Sequence, residues 1–333
     1  MHLSYHSYFL TFKNPFGISK LTRKGTDTIL VEIKQNGIIG YGEAVLPPYL
    51  KEKPEEIIQL LGSTAIPDFK IFTLTEIDQI LAQLPSSIDR NPAYYAAIDM
   101  ALHDLLSKTT LQSIQSLYGI SPNRSPLSSY TIAFSTPQEI VEKLKDSTHF
   151  NLIKLKLGGI NDIDTIKEIR KQSSLPISVD FNQAWHKPDL ELIDLLEKQN
   201  CQYIEEPFND NQALKDLITT IPILADESFQ GLSSFEKLPP QFTGINIKLM
   251  KCGGLREAFK IIKEANKRGL KILLGCMSGS SCAVAAMSHF ALLAHWIDLD
   301  GPALISNDPF SGLTYKNGKI ILKEIHGMGV ELN

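Results

Sequence analysis

The 333-residue chain has few cysteines, little excess charge of either sign and no long hydrophobic segment. Its four cysteines form no C-x-x-C pair, and their density is too low for a disulfide-stabilised secreted fold. The formal net charge of −4 lacks the basic excess that nucleic-acid-binding domains usually carry. No apolar run approaches the roughly 18 residues of a membrane-spanning helix, and no signal-peptide pattern opens the chain. We therefore expect a cytoplasmic protein that binds neither nucleic acid nor membranes.

The sequence pattern changes in character along the chain. The first 45 residues are typical of antiparallel strands, with Asn36-Gly37 as the hairpin turn between two of them. Helical periodicity then predicts three helices, at residues 54–61, 74–84 and 92–106. The Pro- and Ser-rich stretch at 121–126 is the strongest boundary signal. These features predict an α+β domain over residues 1–125.

Beyond this boundary, short apolar runs recur at intervals of 20 to 27 residues and alternate with helical patterns. The eight runs fall near Tyr130, Ile153, Ile177, Tyr203, Ile223, Ile245, Ile272 and Trp296. The alternation predicts an α/β fold, a (β/α) TIM-type barrel over residues 126–304, with a doubly wound open sheet as the alternative. The tail, about 305–333, regains strand character near Gly318 and is predicted to pack back on the first domain.

Two lysines lie on one face of the second predicted barrel strand. Lys154 and Lys156 alternate there with apolar residues, and barrel chemistry is built at the carboxyl ends of the strands. A half-exposed amphipathic strand would show the same alternation. Because adjacent ammonium groups lower each other's pKa, however, such a pair is also expected to supply a neutral lysine that acts as a base.

Carboxylates follow at the ends of the next three strands. Asp180, two residues before Asn182, ends the third strand, and Glu205 and Asp226 end the fourth and fifth. A single acidic residue at a strand end is usually a helix cap or a solvated loop residue. Three in register repel one another unless a cation joins them, and hard oxygen ligands suit Mg²⁺. The pattern therefore predicts a magnesium site.

The remaining strand ends carry a third lysine and two further carboxylates. Lys248 ends the sixth strand, which places it across an eight-stranded ring from Lys156. A metal between lysines on opposite walls is suited to moving a proton between the two faces of one carbon. Asp298 and Asp300 follow the eighth strand, outside the predicted metal ligands, where they are expected to bind a substrate ammonium.

Together these motifs resemble those of a known family over nearly the whole chain. The matching segments are Lys154-x-Lys156, Asp180-x-Asn182, Glu205-Glu206-Pro207, Asp226-Glu227-Ser228, Lys248-x-x-Lys251-x-Gly253-Gly254 and, in the first domain, Gly40-Tyr41-Gly42-Glu43-Ala44. The set resembles the enolase superfamily, muconate-lactonising subgroup. Asp298-x-Asp300-Gly301-Pro302 is further similar to the dipeptide epimerases of that subgroup.

The resemblance implies a capping domain on the barrel and an isomerase with one Mg²⁺ per subunit. Asp180, Glu205 and Asp226 would hold the metal, which would chelate the carboxylate of a dipeptide. Lys156 and Lys248 would exchange the α-proton on opposite faces and so invert the C-terminal residue of an L-Ala-L-X dipeptide through an enediolate. The remaining expected roles are substrate binding for Lys154, Asn182, Met277, Asp298 and Asp300, pairing of Glu227 with Lys248, and a supporting role for Lys251.

Two departures from the family pattern concern the substrate. Members acting on Ala-Glu carry an arginine five residues after the Phe of a Pro-Phe pair, where this chain has Leu21 after Phe16. We therefore expect a hydrophobic X, although Arg23 and Lys24 follow closely. Relatives usually have Glu where Gly279 stands, which removes a charge near the pocket.

Other functions fit parts of the same pattern. An o-succinylbenzoate synthase-like lyase or a muconate-type cycloisomerase would also need the lysines and the metal, but an anionic substrate gains nothing from Asp298 and Asp300. A metal-dependent binding protein without turnover has no use for a base on each face. The sequence leaves the oligomeric state open, a homo-oligomer included.

Overall fold

The N-terminal region is an antiparallel sheet backed by helices. The structure is a computed structural model and describes residues 1–18, 21–121, 126–133, 137–210 and 212–333. The sheet has the order β1-β2-β3, with strands β1 (His2–Ile18), β2 (Leu21–Gln35) and β3 (Ile38–Leu46). Asn36 and Gly37 form the predicted hairpin turn with φ of 50° and 82°, values that these two residue types tolerate.

The helices of this region pack on one face of the sheet. They are α1 (Pro54–Ser63), α2 (Leu74–Leu81), α3 (Pro92–Thr110) and α4 (Ile114–Leu117). Helix α3 is buried on all sides from Ala93 to Ser107, as expected of a helix enclosed between two layers. It approaches β3 backbone to backbone, since a Cβ added to Gly42 would lie 1.9 Å from the carbonyl oxygen of Ala97. The glycine is therefore a packing requirement.

The second region is an eight-stranded parallel sheet whose strands follow one another in chain order. Its strands are β4 (Ser129–Ile132), β5 (Leu152–Lys156), β6 (Ile177–Asp180), β7 (Ile204–Glu205), β8 (Ile223–Ala225), β9 (Gly244–Ile247), β10 (Lys271–Gly275) and β11 (Trp296–Asp298). Ser128, just before β4, forms a parallel bridge with Ile297 of β11. The last strand therefore lies beside the first, which confirms the predicted barrel and rules out the open sheet.

The connections between the barrel strands differ in length and type. Their α-helices are α5 (Pro137–Lys145), α6 (Asp162–Gln172), α7 (Leu190–Lys198), α8 (Leu249–Cys252), α9 (Leu255–Lys267) and α10 (Ser281–Ser288), and α11 (Gly301–Leu304) follows the last strand. Among the described residues, the connections after β7 and β8 have a 3₁₀ helix in place of an α-helix, Ala213–Asp216 and Leu232–Glu236. These short connections account for the compact length of the barrel.

The tail contacts both regions. It forms two small antiparallel pairs, β12 (Phe310–Ser311) with β15 (Glu331–Leu332) and β13 (Leu313–Lys316) with β14 (Lys319–Leu322). Ile305 forms an antiparallel bridge with Phe12 of β1, so the start of the tail contacts the N-terminal region. The turn at Gly318, however, packs against the barrel, because its amide donates to the carbonyl of His149.

Residues 122–125, at the predicted domain boundary, lie outside the described residues. Within the part of the chain that is described, no helix combines the length and apolar character needed to cross a membrane.

Candidate active site

Three buried carboxylates meet at the carboxyl ends of β6, β7 and β8. In the sheet register Lys156 pairs with Asp180, and Asp180 pairs with Glu205. One carboxylate oxygen each from Asp180, Glu205 and Asp226 lies within 4.8 Å of the others. No hydrogen bond within the described residues reaches Glu205 Oε2, although Lys154 Nζ lies 2.7 Å away. A buried oxygen-only group with an unsatisfied acceptor fits a hard divalent cation.

Lys154 lies at the centre of this group. Its Nζ is 2.8 Å from Asp298 Oδ2, 2.7 Å from Glu205 Oε2 and 3.2 Å from Asp180 Oδ2, and its side chain is 1% exposed. Burial alone would lower the pKa of Lys154, but these carboxylates raise it well above its usual value. The expectation of a lowered pKa is therefore wrong for Lys154, because the nearby carboxylates raise its pKa by more than burial and the neighbouring lysine lower it.

The two predicted catalytic lysines also contact the carboxylates. Lys156 Nζ lies 2.5 Å from Asp180 Oδ2, and Lys248 Nζ lies 2.6 Å from Asp226 Oδ2. Burial raises the pKa of Asp180, but Lys156 and Lys154 outweigh it and lower that pKa to about 2. For Lys248, burial lowers the pKa and Asp226 and Glu205 raise it overall. The ammonium groups thus balance the negative charge of the site.

Lys251 contacts Asp226 through the carboxylate oxygen that Lys248 leaves free and through the backbone. Its Nζ donates to Asp226 Oδ1 at 2.5 Å, to the Asp226 carbonyl at 2.7 Å and to the Asn246 carbonyl at 3.1 Å. Lys251 therefore fixes both the backbone and the side chain of a carboxylate of the site, which suits the supporting role predicted for it.

Asp298 and Asp300 occupy different environments. Asp298 Oδ1 accepts from Ser129 Oγ at 2.6 Å, and its Oδ2 accepts from Lys154 Nζ at 2.8 Å. Asp300 Oδ2 accepts the backbone amide of Thr131 at 2.6 Å. Burial, together with the charge of Asp298, raises the pKa of Asp300 to about 7. In its ionised form Asp300 has no ion-pair partner among the described residues, whereas Asp298 is paired with Lys154, so Asp300 is the better placed of the two to receive a cationic ligand.

A cavity of 290 Å³ lies between these groups and the N-terminal region. Lys154, Lys156, Lys248, Asp298 and Asp300 line it together with Asn182, Glu227 and Met277, so the structure brings most of the predicted site residues together. Apolar walls are supplied by Phe16, Tyr49 and Leu304. Leu21 is the exception, because its side chain lies outside the described part of the structure.

Glu227 has a different partner from the one expected. Its Oε1 accepts from Asn182 Nδ2 at 3.0 Å, whereas Lys248 pairs with Asp226. Burial, with the charges of Asp226 and Asp180, raises the pKa of Glu227 to about 7. The predicted Glu227–Lys248 pair is replaced because Asp226 lies closer to the lysine.

Sequence reasoning missed several residues that shape the site. Glu206 accepts the backbone amides of Asp226 and Ser228 at 2.7 and 3.0 Å and so fixes the loop after β8. Asn246 Nδ2 donates to Glu205 Oε1 at 2.8 Å. Asn246 lies two residues before Lys248, and this period-2 spacing would have placed both on the inner face of β9. Tyr49 gave no such signal.

Glu43 of the N-terminal region contacts the barrel at the start of α10, the helix that follows β10. Its carboxylate is fully buried and accepts Ser280 Oγ at 2.6 Å and the amide of Ala283 at 3.2 Å, which caps α10. A Cβ at Gly279 would lie 2.7 Å from Val45 Cγ2 and 3.6 Å from Glu43 Oε2. The space that a glutamate would need is therefore filled by the N-terminal region.

Comparison with known families assigns both regions. The family described as Mandelate racemase / muconate lactonizing enzyme, N-terminal domain, matches residues 8–119. The family described as Enolase C-terminal domain-like matches residues 138–333, more than half of the chain.

Individual proteins are similar over the same extent. The chain is 37% identical to the L-Ala-D/L-Glu epimerase of Bacteroides thetaiotaomicron over 99% of this chain and 88% of the relative. It is 32% identical to the L-Ala-D/L-amino acid epimerase of a Maribacter species over the full length of both. The dipeptide epimerase of Methylococcus capsulatus, solved with Mg and L-Arg-D-Lys, superimposes with a TM-score of 0.86 at 27% identity, over 99% and 98% of the two chains.

These matches span both regions and agree with the arrangement of lysines and carboxylates at the strand ends. The chain therefore belongs to the mandelate racemase and muconate lactonizing enzyme family of the enolase superfamily, in the part of that family that contains the dipeptide epimerases.

Proposed function

We propose that this protein is a Mg²⁺-dependent dipeptide epimerase that inverts the α-carbon of the C-terminal residue. The observation that carries the proposal is the placement of Lys156 and Lys248 on opposite walls of one barrel. They lie at β5 and at the end of β9, four strands apart, and each contacts a carboxylate of the same buried triad. A substrate carbon above the triad has one ammonium group on each face.

Asp180, Glu205 and Asp226 are the residues that would hold the magnesium ion. When bound, the ion supplies positive charge beside the substrate carboxylate, which stabilises the charge that develops as the α-proton leaves. It also takes over part of the charge balance that the lysines provide. With the carboxylates neutralised by a cation, the pKa values of Lys154 and Lys248 are expected to fall from their raised positions.

The lysines then carry the proton transfer. One lysine, in its neutral form, takes the α-proton, and the electron pair of the broken C–H bond moves into the carboxylate to give an enediolate. The other, as an ammonium, returns a proton to the opposite face, which regenerates the carboxylate with inverted configuration. Lys154 adds positive charge beside the substrate carboxylate. Asp300 receives the α-ammonium of the dipeptide, and Asp298 keeps Lys154 in place.

We further propose that the second residue of the preferred dipeptide is hydrophobic. Phe16, Tyr49 and Leu304 line the cavity, and no arginine occurs among its described lining residues. The guanidinium carbon of Arg23 lies 5.2 Å from the ring centroid of Phe12 and 5.3 Å from that of Tyr49. The guanidinium of Arg23 is thus engaged by two aromatic rings, and Arg23 is not among the described residues that line the cavity.

Incubation of L-Ala-L-X dipeptides with Mg²⁺ in D₂O tests both proposals. We expect one-unit mass gains and the L-D epimer for apolar X, with kcat/KM for L-Ala-L-Val or L-Ala-L-Leu at least about tenfold above that for L-Ala-L-Glu. A higher value for L-Ala-L-Glu would contradict the specificity and leave the epimerase. If the metal binds and no dipeptide exchanges its α-proton, the epimerase proposal is wrong and a lyase or cycloisomerase becomes the better candidate.

Asp300 predicts the pH dependence of dipeptide binding. Its pKa of about 7 means that the carboxyl group is protonated, and cannot attract the ammonium, below neutrality. The inhibition constant of L-Ala-Gly, which has no stereocentre to invert at its second residue, should therefore rise as the pH falls from 7 to 5.5, approaching tenfold per pH unit. Asp300→Asn should bind more weakly and with a flat profile. Identical slopes in the two proteins would rule out this role.

A further inference from the structure

A buried carboxylate of the N-terminal region contacts the barrel where the segment after Lys248 ends. Asp99 lies on α3 and is 0% exposed. Its Oδ2 accepts the backbone amide of Leu255, the first residue of α9, at 2.5 Å. The contact joins residues 156 positions apart and caps a barrel helix with a side chain from the other region.

The turn between Lys248 and α9 is built around this carboxylate. Gly253 and Gly254 have φ of 93° and 111°, which only glycine adopts without strain. A Cβ added to Gly254 would lie 2.4 Å from Asp99 Oδ2. The chain therefore passes directly against Asp99, and the two glycines are what permit this approach.

The turn is linked to Lys248 by one turn of helix. The amides of Gly253 and Gly254 both donate to the carbonyl of Leu249, at 2.9 and 3.3 Å, and the amide of Cys252 donates to the carbonyl of Lys248 at 3.2 Å. These backbone hydrogen bonds connect Lys248 to the Gly253-Gly254 turn, and the amide of Leu255, which follows the turn, is held by Asp99. A displacement of the turn would move the backbone from which the Lys248 side chain enters the cavity.

From these contacts we propose that Asp99 is a positioning residue for Lys248. The inference rests on the proposed epimerase function, because it concerns one of the two bases. Asp99 does not line the cavity and has no contact with a substrate there, so its effect passes through the Gly253-Gly254 turn. Proton transfer depends steeply on placement, and a shift of about 1 Å can cost a hundredfold in rate. Lys156, on β5, has no such connection to the turn.

The positioning role of Asp99 can be measured because the two lysines act on opposite faces of the α-carbon and so on different epimers. Loss of Lys248 should abolish α-proton exchange for one epimer of the dipeptide and spare it for the other, which faces Lys156. We therefore expect Asp99→Ala to slow deuterium exchange in D₂O by about ten- to a hundredfold for the epimer that Lys248→Ala fails to exchange. Exchange of the other epimer should stay within about twofold of its original rate. Asp99→Asn, which keeps an acceptor oxygen, should restore most of the lost exchange.

Asp104 supplies a matched control on the same helix. It is equally buried and accepts the amides of Tyr41 and Met328 at 2.9 and 2.8 Å, away from the Gly253-Gly254 turn. Asp104→Ala should destabilise the protein without favouring one epimer. If Asp99→Ala does not fold, Gly254→Ala displaces the same contact from the barrel side and should show the same one-sided loss.

Two outcomes would overturn the inference. In one, Asp99→Ala and Gly254→Ala slow the exchange of both epimers equally, as a general loss of stability would. In the other, neither variant affects exchange. If the unsubstituted protein exchanges neither epimer, the proposed function itself fails and the inference fails with it.

Discussion

Replacement of either lysine of the opposed pair, as Lys156→Ala or Lys248→Ala, is expected to abolish epimerisation. Each variant lacks the proton donor or acceptor on one face of the α-carbon, so inversion cannot be completed. We expect kcat to fall by at least about 10³-fold, within the usual range for loss of a positioned acid or base. Each variant should still exchange the α-proton of the single epimer that faces its remaining lysine, and the two variants should retain opposite epimers.

The measurement is mass and chiral analysis of each purified epimer after incubation in D₂O with Mg²⁺. Lys215→Ala is a suitable control, because Lys215 is exposed on the 3₁₀ helix after β7 and does not line the 290 Å³ cavity. It should leave both exchanges unchanged. Full epimerase activity in either lysine variant, or retention of the same epimer by both, would show that the bases are assigned incorrectly.

Asp226→Ala is expected to have the largest combined effect on metal binding and stability. It removes one of three carboxylates that fit a cation and the side-chain partner of both Lys248 and Lys251. Breaking a buried ion pair by deleting one partner typically costs about 3–5 kcal/mol, because a buried charge is left uncompensated. Urea unfolding in EDTA should show a loss of this size, and calorimetry should show no Mg²⁺ binding at concentrations that saturate the unsubstituted protein.

A double-substitution cycle separates the charge effect from simple loss of packing. In the Lys248→Ala background, Asp226→Ala should cost less, with a coupling of roughly 1–3 kcal/mol between neighbouring charges. Additive losses would mean that the Asp226–Lys248 contact contributes little to stability. Undiminished Mg²⁺ affinity in Asp226→Ala would remove Asp226 from the proposed ligand set.

The barrel and the inner face of its strands could be predicted from local patterns. The eight strands lie at the expected apolar runs because buried parallel strands are short, continuous and evenly spaced in the sequence. Asp180, Glu205 and Asp226 followed from the rule that such strands end at one edge of the sheet. Period-2 alternation sufficed to put Lys154 and Lys156 on the same face.

Properties set by three-dimensional neighbours could not be predicted in the same way. The pKa of Lys154 is raised by Asp298, which lies 144 residues away in the chain, so the local Lys154-x-Lys156 pattern predicts the wrong direction of shift. The expected Glu227–Lys248 pair is wrong because each residue has another neighbour in the fold. Asn182 donates to Glu227, and Asp226 pairs with Lys248. Glu43 lies 237 residues from Ser280 in the chain, so the Gly40-Tyr41-Gly42-Glu43-Ala44 motif does not predict that Glu43 caps α10.

The buried carboxylates between the regions also limit how such enzymes can be recombined. Glu43 on β3 and Asp99 on α3 each cap the N-terminus of a barrel helix. Phe16 and Tyr49 line the cavity and take no part in these two contacts. Exchanging Phe16, Tyr49 and their neighbouring residues between homologues alters the cavity wall and leaves the docking intact. A chimera that swaps the entire N-terminal region must also match the helix starts at Leu255 and Ser281. Grafts of short segments should therefore retain turnover more often than whole-region chimeras.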